Sequence, residues 1–141
     1  MAASRKYIEH TADILFQVEA DSLGELFEQC GLAVEESQLE LDNVEQTKTQ
    51  EITGENEKLE YLLFDFLDDL LFYKDSEQLI FSKFDINVEK VDDKYHLKCI
   101  AYGEQISKKH EQKVDVKAIT MHMFEVKLFD GTWKAQVLID I

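Results

Sequence analysis

Three short segments hold the residues best suited to chemistry. The first is His10-Thr11-Ala12-Asp13, placed immediately before a strongly apolar run. An aspartate entering a buried strand costs free energy unless it is hydrogen-bonded, paired or bound to a cation. Asp13 is therefore either a turn residue accepting backbone N–H groups or a cation ligand. The second segment is Val137-Leu138-Ile139-Asp140-Ile141, an apolar run that stops abruptly where most termini fray. There the Asp140 side chain neighbours the Ile141 α-carboxylate, and two anionic oxygens at a sheet end suit a hard cation such as Ca²⁺, Mg²⁺ or Mn²⁺. The competing reading is an ordinary edge strand. The third segment is Val116-Lys117-Ala118-Ile119-Thr120-Met121-His122. Lys117 alternates with apolar neighbours, which predicts a strand with the lysine pointing away from the core. It either solvates that face or contacts something there. His122, between Met121 and Met123, reads as a packed or hydrogen-bonded histidine.

Other chemistries find little support. The chain has no P-loop, GxGxxG, GxSxG or HExxH pattern. Cys30 and Cys99 stand far apart in apolar contexts with no metal spacing, and read as buried, reduced thiols of a cytosolic protein. A metal-dependent hydrolase built on the carboxylates would need an open coordination position and a general base. No base is identifiable.

The elements that must position these residues follow from periodicity. With 141 residues, no proline and no low-complexity tract, residues 1–141 read as one domain. Residues 14–20 alternate as a strand. Ser22 with Glu25 forms a capping box, opening a helix whose buried stripe includes Leu26, Phe27, Cys30 and Val34. A polar strand over 44–53 is closed by Gly54. A longer helix over about 56–74 carries the stripe Leu59, Leu62, Leu63, Phe66, Leu67, Leu70 and Leu71. Strand-like segments follow, with turns at Asp92-Asp93 and Asp130-Gly131. Val114, Val116 and Ala118 are expected to lie in one of those strands. The order predicts an α/β two-layer sandwich, a largely antiparallel sheet with two helices packed on one face.

Charge narrows the partners. Fifteen basic and thirty acidic residues give a net charge of −15, which disfavours unaided binding to nucleic acid or an anionic membrane. The same field attracts a basic protein, a divalent cation or a cationic substrate. Residues 105–141 hold 5 acids and 6 bases, so the acidity belongs to the first three quarters of the chain. On the second helix Tyr61, Asp65, Asp68 and Phe72 fall opposite the leucine stripe, facing either a basic partner or the chain's own loops. No apolar run approaches a membrane span, and the N-terminus lacks an apolar signal region. An intracellular, soluble protein is expected.

Taken in order, these segments resemble the archease family, the accessory proteins of the RtcB-type RNA-splicing ligase. The resemblance runs from Tyr7 to Ile141. It rests on His10-Thr11-Ala12-Asp13, Leu26-Phe27-Glu28 with Gly31, the helix Leu59 to Leu71, Val116-Lys117-Ala118-Ile119-Thr120, and Trp133 with Val137-Leu138-Ile139-Asp140-Ile141. It implies a non-enzymatic activator that promotes ligase guanylylation and multiple turnover in tRNA splicing. It also implies a divalent-cation site, with Ca²⁺ favoured and Mn²⁺ or Mg²⁺ as alternatives. The metal ligands map to Asp13, Asp140 and Ile141, the last through a backbone or terminal oxygen. The lysine implicated in ligase activation maps to Lys117. The implied partner is the ligase, without direct nucleic-acid or membrane binding, in the cytoplasm or, in a eukaryote, also the nucleus. Met121 stands where the family commonly has tyrosine, so position 121 receives no role. A general chaperone or modulator, or a carboxylate–metal hydrolase, are the alternatives.

Overall fold

The computed structural model describes residues 3–10 and 13–141. Thr11 and Ala12 of the first segment lie outside the described residues. Among those described, the chain forms β1 (Ser4–His10), β2 (Asp13–Ala20), α1 (Leu23–Gln38), β3 (Lys48–Asn56), α2 (Leu59–Glu77), β4 (Leu79–Val91), β5 (Lys94–Gln105), β6 (Ala118–Phe129) and β7 (Thr132–Asp140). The α/β class and the antiparallel pairing are as expected. The strands divide into two sheets, ordered β1-β2-β7-β6 and β3-β5-β4. α1 packs mainly on β4, with further contacts to β2 and β7, whereas α2 lies between β3 and β6. The two helices thus close the space between the sheets. No described helix is long and apolar enough to cross a membrane.

Local chemistry explains most boundaries. Ser22 caps α1, its Oγ accepting the Glu25 N–H at 3.2 Å, which is the first half of the capping box. α2 begins at Leu59 rather than near 56 because Asn56 still pairs with Tyr95 in β3, and its Oδ1 accepts the Lys58 N–H. Gly54 does not end β3: it pairs with Leu97, and Leu62 of α2 packs over it. The seven-residue stripe of α2 is buried as its spacing requires. Its Phe66 meets Phe27 and Phe84, the Phe66 and Phe84 ring centroids lying 5.7 Å apart in an edge-to-face pair. Asp92-Asp93 and Asp130-Gly131 take positive φ and turn the β4–β5 and β6–β7 hairpins. Cys30 and Cys99 are free and buried, and burial pushes the Cys99 thiol up to about 12.

Two further expectations are corrected. Val114 and Val116 are not in a strand; residues 113–117 run irregularly and β6 begins at Ala118. Val116 is buried there, but its carbonyl accepts from Lys74 instead of from a neighbouring strand. His122 is exposed, not packed. β6 pairs with β7 through Thr120↔Leu138, then resumes only at Glu125↔Gln136, so Met121, His122 and Met123 stand out on a bulge. Met123 has φ 60° there, and its carbonyl accepts from Gln136 Nε2 at 2.9 Å.

Candidate functional site

The site residues are gathered by strand register. Asp13 opens β2 and pairs with His10 of β1 on one side and Asp140 of β7 on the other. Asp140 also pairs with Ala118 of β6. One row at the end of the four-stranded sheet therefore holds Asp13 and Asp140, residues 127 positions apart in sequence. Lys117 precedes that row, and its N–H donates to the Asp140 carbonyl at 2.8 Å. Its side chain is exposed as expected, from an irregular segment instead of a strand.

Directly opposed residues in an antiparallel pair point to the same face, with Cβ atoms about 5 Å apart. Ile14, Phe16, Val137 and Ile139 turn toward the core, so alternation puts Asp13 and Asp140 on the outer face. Two carboxylates in that relation repel each other unless a proton, a base or a cation lies between them. Ile141 packs its side chain against the core, which fixes its main chain one residue beyond Asp140. Two rows inward, Thr120 pairs with Leu138, and its buried Oγ1 has no hydrogen-bond partner among the described residues. Hard, anionic oxygens in this arrangement fit a divalent cation of the Ca²⁺ type. Among the described residues, no group of three or more His, Cys, Asp or Glu side chains is placed to hold a metal. Asp13 and Asp140 would thus need main-chain, terminal or water oxygens to complete a coordination shell.

Asp13 also borders an open groove of about 640 Å³ with Tyr7, Glu36, Glu40 and Lys113. Glu36 and Glu40 in this groove each have cationic or hydroxyl partners. Tyr7 Oη donates to Glu36 Oε1 and Arg5 Nη2 to Glu36 Oε2, both at 2.6 Å. Burial pushes the Glu36 carboxyl up, but those two donors outweigh it and hold it below the usual carboxylate range. Glu40 pairs with Lys113 at 2.8 Å.

Behind the site lies a buried polar network that sequence reasoning missed. Lys74, in the last turns of α2, donates from Nζ to Gln38 Oε1, Asp115 Oδ1 and the Val116 carbonyl, each at 2.8 Å. Gln38 Nε2 donates to Glu35 Oε1 at 3.3 Å, and the Phe81 N–H to Glu35 Oε2 at 2.8 Å. Glu35 is fully buried. Burial raises its carboxyl to about 8, against the opposing pull of the Phe81 N–H and the Lys74 charge. The hydrogen bond from Lys74, with its charge, lowers the Asp115 carboxyl. A signal for Lys74 did exist: it lies four residues after Leu70 and three after Leu71, in phase with the leucine stripe. His110, likewise unassigned, is buried, with Nε2 3.0 Å from Glu104 Oε2.

Known proteins share this architecture. Residues 6–141 match the Archease protein family (MTH1598/TM1083). Protein archease of Pyrococcus abyssi is 43% identical over 138 residues, covering 96% of this chain and 97% of the relative. Its counterpart in Methanothermobacter thermautotrophicus is 38% identical over 136 residues, with 96% and 97% coverage. The solution structure of Methanobacterium thermoautotrophicum protein 1598 superposes with a TM-score of 0.88 at 37% identity, covering 97% of this chain and 98% of that one. The crystal structure of an archease from Thermotoga maritima, described as a possible chaperone, shares the fold with a TM-score of 0.64 at 23% identity and 98% coverage of both. With the family's pattern spanning nearly the whole chain and relatives above 30% identity along their full length, the chain belongs to the archease family.

Proposed function

We propose that the chain is a non-enzymatic activator of an RtcB-type RNA ligase, acting in tRNA splicing by promoting ligase guanylylation and repeated turnover. The observation that carries this reading is the meeting of Asp13, Asp140 and the Lys117 backbone at one sheet end. A divalent cation, Ca²⁺ first and Mn²⁺ or Mg²⁺ otherwise, would be held by the Asp13 and Asp140 carboxylates with an Ile141 oxygen, and would supply positive charge to a phosphate-handling partner. Lys117 projects into solvent beside that pair, where an ammonium can steady phosphate oxygens as a point charge. The −15 net charge favours encounter with a basic, RNA-gripping enzyme.

A guanylylation assay of purified ligase with GTP, with and without this protein, tests the reading. Faster formation of ligase–GMP supports it, and an unchanged rate removes it. A broader chaperone-like role has one observation in its favour: Tyr61 and Phe72 are exposed beside Asp65 and Asp68 on α2. Suppression of aggregation of unrelated basic proteins, without an effect on the ligase, would favour that second reading.

A further inference from the structure

We propose that Lys74 is a positioning residue for Lys117: it holds the strandless segment 115–116 so that the exposed lysine is presented beside Asp140. The inference rests on the ligase reading for its functional consequence. Its structural half stands on hydrogen bonds alone.

Segment 113–117 belongs to no strand, so its backbone groups need partners from elsewhere. The Lys113 N–H donates to the Gln38 carbonyl at 2.8 Å, and the Lys117 N–H to the Asp140 carbonyl at 2.8 Å. Between those two points the Val116 carbonyl and the Asp115 side chain both accept from Lys74 Nζ. The third Lys74 proton goes to Gln38 Oε1. Removing any of these leaves part of the segment untied.

Lys74 is an expensive residue for its place. The stripe before it on α2 is apolar, and another apolar side chain would continue it without burying an ammonium. A buried ammonium is tolerated when all three protons are placed, as they are here. Two of the three go to the residues just ahead of Lys117. Asp75 lies 3.7 Å from the ammonium and Glu35 acts on it through its charge, while Asp115, at 2.8 Å, is the acid that belongs to the lysine-bearing segment. The ammonium therefore joins two distant parts of the chain, the α1–α2 core and the lysine-bearing segment. Lys117 is held on both sides, by Lys74 through residues 115–116 and by Asp140 directly.

The test uses the full chain and two variants. Lys74→Met keeps much of the side-chain volume and removes the ammonium, while Asp115→Ala removes one exposed acceptor. Amide hydrogen exchange is read at Lys117 and, as controls, at Phe27 and Val137. Guanylylation of the ligase is read with Lys74→Met, Lys117→Ala and the double variant. Lys74→Met is expected to speed exchange at Lys117 roughly tenfold or more while the controls stay within about twofold. Its stimulation of the ligase should fall toward that of Lys117→Ala, stay low at saturating protein, and drop no further in the double variant. Unchanged exchange at Lys117, uniform loss of protection along the chain, or additive losses in the double variant would overturn the proposal. If Lys74→Met does not fold, Asp115→Ala decides: faster exchange at Lys117 with an unchanged melting temperature supports positioning, and no change overturns it. If the wild-type protein does not stimulate the ligase at all, the ligase reading fails, and the exchange data still decide whether Lys74 positions Lys117.

Discussion

Asp13 and Asp140 stand directly opposite each other across β2 and β7, two carboxylates brought into register from the two ends of the chain. Like charges directly opposed across an antiparallel pair are destabilising by themselves. Register alone does not explain why both positions are acidic; the cation proposed above would.

The effect of removing the Asp13 carboxylate should therefore change sign when metal is added. In the presence of a chelator, Asp13→Asn should melt at the same temperature as wild type or slightly higher, because a repulsion is removed. With Ca²⁺ or Mn²⁺ at about a hundredfold over Kd, wild type should gain about 2.7 kcal/mol and the variant much less. Thermal melts of both proteins provide the check, and equal gains would place the cation elsewhere.

Ile141 can be tested without substituting it. Residues appended after it displace any terminal oxygen from the Asp140 neighbourhood, whereas residues added before Met1 leave that end alone. Ligase activation should drop with the first extension and persist with the second. Equal activity of the two forms would take Ile141 out of the ligand set.

Lys117→Ala should separate folding from activation. The side chain is exposed, so stability should stay within about 0.5 kcal/mol of wild type. Loss of a charge contact to transferring phosphate should cost about 2–4 kcal/mol of transition-state stabilisation, roughly 30- to 1000-fold in guanylylation rate. A normally folded, fully active variant would leave Lys117 as a solvating charge.

Glu35 should impose a pH dependence of its own. Its ordinary value is near 4.5, and burial lifts it to about 8 in the folded chain. Its contribution is complete below about pH 4.5, where both states hold the proton. Between there and about pH 8 the unfolded chain releases the proton first, so stability declines, by at most about 1.4 kcal/mol per pH unit. Above pH 8 the decline stops. Urea titrations from pH 4 to 9 should show that slope in wild type relative to Glu35→Gln. Parallel curves would mean that Glu35 keeps an ordinary pKa.

Gly103 should resist any side chain. It sits in β5 opposite Phe81, where β4 shifts register, and a Cβ there would overlap the Ile80 carbonyl. Backbone cannot yield as a flexible side chain can, so Gly103→Ala should cost upward of about 3 kcal/mol, measurable by chemical denaturation. A loss below about 1 kcal/mol would mean that the two strands can separate locally.

Much of this was legible from residue order, for physical reasons. The α2 stripe and both aspartate-bearing hairpin turns are local signals, set by spacing or by turn chemistry, and each lies where its pattern puts it. Asp13 and Asp140 were legible as odd residues at apolar strand ends, although their partnership needed the register of β2 with β7. What escaped was non-local. Val114 and Val116 alternate like strand residues, yet Val116 joins the core from an irregular segment and its carbonyl is held by Lys74, a role visible only when α2 meets that segment. The division into two sheets was equally hidden, because alternation marks strands and says nothing about which strands become neighbours.

The bulge at Met121–Met123 has a consequence for how copies of this chain meet. β6 is the outer strand of its sheet, and Met121, Met123, Leu128 and Phe129 are all exposed along it. A straight outer strand with those side chains would offer an uninterrupted row of N–H and C=O groups to another molecule, the template from which fibrils grow. Three extra residues break the row near its middle, Met123 turns the backbone out of the pleat, and Gln136 occupies the Met123 carbonyl. The protein can thus keep an oily rim in contact with water while denying it the straight hydrogen-bonding edge that stacking requires.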